Sequence, residues 1–437
     1  AFNPLLISPE KLMEQALLVP GDLPKDVQTK NEYVNYHNSS SFKMSLLRTA
    51  YERFRQKKEE QEFNDFCRKQ DYWLDDYALF ASLRTHFNGK IWNQWPEPVR
   101  DRHPEAVAEY RQRLSGEIRR EKFYQYVFLK QWRELKTYCE KRNIQIIGDI
   151  PIYVALDSAD VWTHPSLFKL DEKKQPLYIS GVPPDYFSET GQLWHNPVYR
   201  WKIMKKKNYD WWLRRLEHNL DLFDIVRIDH FRGLVAYWQV RAGEKTAING
   251  EWIKAPAEDF ITTIMKEFED LPIIAEDLGV ITEDVSEVMK KFDLPGMKVL
   301  QFGFSGDVGN NAHAVHSAVR NCFLFTGTHD NNTVLGWYSN DITEEERKNL
   351  NKNLRKKVTA ATVNNTLIRA AMMTIANTVI IPMQDFLGLG ESARMNRPFI
   401  NEGNWHWRLK PGMLTAELSE YICSMVEMYG RKEQRKL

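Results

Sequence analysis

The sequence predicts an α/β protein built on a (β/α)8 barrel with helical insertions, its strands 1 and 2 lying upstream of Ala1. Three observations predict it. Residues 1–143 place apolar side chains at helical spacing among many charges. Beyond Asn143, short continuous apolar runs alternate with helical stretches, the pattern of strands buried on both faces of a parallel sheet. Five of the six runs end in a carboxylate. Polar groups gathered at the ends of several strands suit a closed barrel better than an open sheet, where ligands sit at one switch point.

Phe54, Phe63 and Phe66, then Tyr72, Trp73 and Leu74, form helical stripes, and Phe123, Val127, Leu129, Trp132 and Leu135 form another within 119–142. These residues read as a helical insertion subdomain ahead of barrel strand 3. The strands are then expected at Ile144–Asp149, Ile225–Asp229, Ile273–Asp277, Val299–Phe304, Phe323–Asp330 and Val379–Asp385, within a catalytic region spanning 144–408. An insertion at 155–215 holds the segment Ser180–Trp201, whose Pro183, Pro184, Gly181 and Gly191 predict an irregular loop. Its Tyr186, Phe187, Trp194, Tyr199 and Trp201 suggest an active-site lid. A C-terminal helix is expected in 409–437.

Composition narrows the function. With 60 basic and 59 acidic residues the net charge is +1, without the basic excess of a nucleic-acid binder. No run approaches the ~20 apolar residues of a membrane span. Neither a nucleic-acid nor a membrane partner is expected. The N-terminus shows no basic, apolar secretory pattern, and Cys67, Cys139, Cys322 and Cys423 are scattered, which reads as buried reduced thiols in the cytoplasm. Fourteen Trp suit either a large core or a groove that stacks flat, uncharged rings such as sugars.

Three carboxylates then stand out: Asp229 in Val-Arg-Ile-Asp-His, Glu276 in Ala-Glu-Asp-Leu-Gly, and Asp330 in Thr-His-Asp-Asn. They lie roughly 50 residues apart, one βα unit each, so successive strands would carry them. Cleaving a glycosidic bond with retention needs one carboxylate to attack the anomeric carbon and one carboxylic acid to protonate the leaving oxygen. Arg227, two residues before Asp229, points to the same strand face and would keep that carboxylate ionised. His329 is placed to donate to a sugar hydroxyl.

These segments, with Gly148-Asp-Ile-Pro-Ile-Tyr-Val, Pro183-Pro-Asp-Tyr-Phe-Ser, Arg394-Met-Asn-Arg-Pro and Gly403-Asn-Trp, closely resemble the amylomaltase (4-alpha-glucanotransferase, disproportionating enzyme) family of the α-amylase clan. The likeness runs from Asn3 to about Arg408. It implies a retaining enzyme of starch and glycogen metabolism that moves α-1,4-glucan segments between maltodextrins or amylose. No motif in the sequence calls for a cofactor or a metal. Asp229 would be the nucleophile, Glu276 the general acid/base, held protonated by burial, and Asp330 the transition-state stabiliser. Arg227 and His329 would support them. Asp149 would line the donor site and Asn396 would contact the donor sugar. Tyr186, Phe187 and Trp194 would guide the glucan, with Asp185, Ser188 and Glu189 nearby. His195 departs from the pattern, because family members often carry Gly there.

Two further signals point elsewhere and are set aside. Gly388-Leu-Gly-Glu-Ser-Ala imitates a dinucleotide fingerprint but closes the last βα unit where such a motif should open one. His313 and His316 lack a third metal ligand nearby and read as exposed histidines. The residues alone also allow a hydrolase of the same clan, or a glucan-binding protein without activity.

Overall fold

The computed structural model describes all residues except 24–31, 58–59, 185–187, 270, 280, 399, 401 and 433–437. The chain forms two compact units, Ala1–Val27 with Tyr36–Pro272, and Gln28–Asn35 with Ile273–Leu437.

In the first unit, helices at Tyr36–Phe54, Gln61–Lys69, Asp71–His86, Pro104–Arg113 and Ser115–Glu140 precede every strand. Their apolar positions recur every three or four residues. Leu46, Leu47, Ala50, Tyr51 and Phe54 from one helix meet Phe123, Tyr124 and Val127 from another in a common core. The strands are β1 (Ile147–Ile150), β2 (Tyr178–Val182), β3 (Gln192–Pro197), β4 (Ile225–Ile228), β5 (Ala236–Arg241) and β6 (Gly250–Lys254). β1 and β4 pair in parallel, with Ile147 opposite Ile225 and Asp149 opposite Arg227. The helix Asp210–Leu222 leads into β4. The other four strands form an antiparallel sheet in the order β3-β2-β5-β6.

That second sheet corrects the expectation of an irregular loop at Ser180–Trp201. Its first residues belong to β2, and Gln192–Pro197 within it form β3. Gly181 does not break β2: a Cβ there would lie 2.2 Å from the carbonyl oxygen of Gln192, so its lack of a side chain admits the close approach of β3.

In the second unit the strands are β7 (Ile273–Ala275), β8 (Gly296–Val299), β9 (Cys322–Phe325) and β10 (Thr378–Ile380). β8, β9 and β10 form a parallel sheet with β9 central. The Ala275 N–H donates to Pro295 (2.9 Å), which ties β7 to the entry of β8. The strand expected at Val299–Phe304 is therefore displaced. The chain is extended over Gly296–Val299, and Leu300–Phe304 is a 3-10 turn. Burial of Phe304 against Val334, Trp337 and Leu350 makes that run apolar, and apolarity alone does not tell a buried turn from a buried strand. The helix Ala416–Met428 packs Met425 on Ile368 and Met372.

Seven of the fourteen Trp (Trp92, Trp95, Trp162, Trp201, Trp212, Trp337 and Trp407) are buried, so much of the Trp excess builds core. Of the four cysteines, Cys139 and Cys322 are buried as expected, Cys67 is half-buried and Cys423 is exposed. No helix among the described residues is long and apolar enough to cross a membrane.

Candidate active site

In the first unit the chemistry gathers at the ends of β1 and β4. Register places Asp149 beside Arg227, and the two-residue period of a strand turns Arg227 and Asp229 to one side. Arg227 is buried, with 8% exposure, and its guanidinium serves both carboxylates. Nη1 lies 2.7 Å from both oxygens of Asp149, and Nη2 lies 2.8 Å from Oδ1 of Asp229. The side chain of Asp229 remains 42% exposed, so the carboxylate is held in place by a buried partner and still open to a ligand. Next in the chain, His230 is held at φ +50° and burial lowers its pKa to about 4, which makes it a neutral ring.

Trp194 stands edge-on to His230, with ring centroids 4.8 Å apart at 88°, and its indole N–H donates to Gln192 (3.1 Å). His195 beside it has φ +61°, the left-handed region that glycine occupies without strain. Ser188 donates to the Gly191 carbonyl (2.8 Å) and so closes its own turn, while Glu189 is exposed. Asp185, Tyr186 and Phe187 lie outside the described residues.

In the second unit Glu276 directly follows β7. It is buried, and its carboxylate accepts the N–H of Leu278 (2.7 Å). Neighbouring Asp277 accepts the Met297 N–H (2.6 Å), and burial pushes its carboxyl above the usual range. Asp330 sits in the turn after β9. Its Oδ1 accepts the Asn396 amide (2.6 Å), and its Oδ2 lies 3.5 Å from Nε2 of His329. Asn396 thus gives its amide to Asp330, and its N–H donates to the His329 carbonyl (3.1 Å).

Several residues in this unit had no role in the sequence reading. Arg394 donates to the carbonyls of Asp330 (2.8 Å) and Asn396 (2.9 Å), fastening the two segments. Its spacing in Arg394-Met-Asn396 is the signal that could have found it, since positions i and i+2 of extended backbone share a side. Trp405, 46% exposed, lies over the His329 ring at 5.3 Å. A cavity of about 310 Å³ opens beside Asn396, lined also by Tyr33, Arg394, Arg397, Asn404 and Trp407. His313, expected to be exposed, is half-buried, and its Nδ1 accepts the Val299 N–H (3.2 Å).

Comparison with known proteins gives the family. A family model described as 4-alpha-glucanotransferase matches residues 1–415. The 4-alpha-glucanotransferase of Synechocystis sp. is 44% identical over 437 residues, covering 99% of this chain and 86% of that protein. That of Clostridium butyricum is 44% identical over 435 residues, covering 99% and 89%. Among solved structures, the amylomaltase from Streptococcus agalactiae in complex with acarbose superposes with a TM-score of 0.94 at 37% identity, covering 98% of this chain and 87% of that one. The amylomaltase from Corynebacterium glutamicum shares the fold, with a TM-score of 0.72 at 16% identity, over 97% and 65%. With the family model spanning nearly its whole length and such relatives beside it, the chain belongs to the 4-alpha-glucanotransferase family.

Proposed function

We propose that this 4-alpha-glucanotransferase disproportionates maltodextrins and amylose by a retaining double displacement, with Asp229 as nucleophile, Glu276 as general acid/base and Asp330 as stabiliser of the transition state. The observation that carries the chemistry is the Arg227 fork. It binds Oδ1 of Asp229, fixes the carboxylate, and leaves Oδ2 to attack C1 of the donor glucose. Glu276 protonates the glycosidic oxygen, and the reducing-end fragment departs from a glucosyl-enzyme ester on Asp229. The 4-OH of an acceptor glucan then enters, Glu276 takes its proton, and the sugar is transferred. Two inversions give retention. Asp330, held by Asn396, is the group for the sugar hydroxyls as the ring flattens toward an oxocarbenium ion.

In this reading β1, β4, β7, β8, β9 and β10 are strands 3 to 8 of a (β/α)8 barrel spanning 144–408. Residues 1–143 are a helical insertion, 155–215 a lid insertion, and 409–437 a C-terminal helix. Asp149 lines the donor site through its bond to Arg227. Trp194, with Asp185, Tyr186, Phe187, Ser188 and Glu189, belongs to a lid that holds glucan and keeps water from the ester. The enzyme works in the cytoplasm, without metal or cofactor.

The test is to trap the ester. A Glu276→Gln variant given an α-maltosyl fluoride needs no acid for the first step and lacks the base for the second. Acid quench and peptide mapping should find the added sugar on the peptide holding Asp229. An adduct on another carboxylate, or none with the fluoride consumed, overturns the assignment.

A further inference from the structure

We propose that Asp385 is a positioning residue for the transfer reaction, its carboxylate clamping both ends of the turn that carries Asp330. Asp385 is 1% exposed, so it touches no glucan and can act only through its neighbours. Its Oδ2 accepts the Thr326 hydroxyl (2.7 Å), where β9 has just ended. Its Oδ1 accepts the Val334 N–H (2.8 Å), where the next helix begins. The turn 327–333, with Asp330 in it, is strung between these two anchors.

The clamp is itself fixed. The backbone carbonyl of Asp385 accepts the Asn364 amide (2.8 Å) from the helix Val363–Met372. Within the turn, Asn331 accepts from the N–H and the hydroxyl of Thr328 (2.9 Å each), and the Asp330 N–H donates to the Thr328 hydroxyl (3.2 Å). Gln301 donates to the Asn332 carbonyl (2.9 Å), its amide packed where Gly327 has no side chain. None of these inner bonds crosses from one end of the turn to the other, as the Asp385 carboxylate does. A buried carboxylate is costly, and it suits this place because two donors converge on it from opposite ends. Losing it frees the turn at both ends, and a shift of about 1 Å in a group that meets the transition state can cost about a hundredfold in rate.

The proposal rests on the role given above to Asp330, so Asp330→Asn is measured alongside. The assay is steady-state glucose release from maltotriose by Asp385→Ala and Asp385→Asn, at a temperature where circular dichroism shows each fully folded. For Asp385→Ala, kcat should fall about thirtyfold or more while KM stays within about threefold, because the lost precision is felt in the transition state. Asp385→Asn should recover to within about fivefold of wild type, since its amide oxygen can accept from Val334 while its NH2 donates to a reversed Thr326 hydroxyl. Should the alanine variant not fold, Thr326→Val removes one anchor at nearly constant volume and should lower kcat several-fold at unchanged KM. An alanine variant with kcat within threefold of wild type, an asparagine variant no better than alanine, or an unchanged Thr326→Val overturns the clamp. An active Asp330→Asn overturns the role of Asp330 instead, whatever Asp385 does.

Discussion

Replacing Arg227 by Met tests the chemistry at its most constrained point. The substitution keeps volume and removes the charge. It removes two contacts to Asp149 at 2.7 Å and one to Asp229 at 2.8 Å, from a side chain with 9% exposure. A hydrogen bond to a charged group contributes about 1.5–3 kcal/mol, and the two carboxylates, now within about 8 Å without a cation, repel by about 2 kcal/mol at an effective dielectric of ~20. Both carboxylates are about two-fifths exposed, so water screens part of this. With Asp229 as the proposed nucleophile, a net loss of about 2 kcal/mol there corresponds to a fall of roughly thirtyfold in kcat. Arg227→Lys keeps a point charge that serves one carboxylate at a time, and should lose about half as much free energy. The assay is single-turnover release of the leaving group from a glucosyl fluoride, which isolates attack by Asp229. An Arg227→Met enzyme reacting within threefold of wild type would show that attack by Asp229 does not depend on this cation.

Three other outcomes are expected. His195→Gly should raise stability by up to about 1 kcal/mol by relieving a left-handed backbone at φ +61°, read by urea unfolding; a lower midpoint contradicts it. Burial lowers the pKa of His313 to about 4, below the ~6.5 of an unfolded histidine, so the unfolded chain takes up the proton first and stability falls as pH drops from about 6.5 to 4. His313→Gln should lose about 2 kcal/mol less than wild type across that window, because protonation would also turn the acceptor of the Val299 N–H into a donor; parallel stability curves contradict this. Trp194→Ala removes the ring that stands against His230 and should raise the ratio of hydrolysis to transfer about fivefold, measured as reducing ends gained per glucose released; an unchanged ratio contradicts the proposed role of Trp194 in holding glucan.

The parallel strands were legible wherever a continuous apolar run coincided with extended backbone, as in Ile225–Ile228 and Cys322–Phe325. At Leu300–Phe304 the same composition packs a turn, because burial dictates apolarity and not conformation. The antiparallel sheet was hidden for the opposite reason. Gly181 reads as a breaker, and only the strand pairing shows that it makes room. At the site, Arg227 and Asp229 could be placed on one face from strand period alone, and the parallel register then added Asp149. The Asn396 amide on Asp330 and the grip of Arg394 join residues more than sixty positions apart, which no local spacing reveals. Asp385 is, in sequence, one more carboxylate at the end of an apolar run, and its two anchors appear only in three dimensions.

Maltotriose given alone distinguishes transfer from hydrolysis. Incubated with the enzyme and resolved by chain length, it should give glucose together with maltotetraose, maltopentaose and longer glucans, with the total of reducing ends nearly constant, because each bond broken is remade on another chain. Glucose and maltose in equal amounts, rising reducing ends and nothing longer than the substrate would contradict transfer.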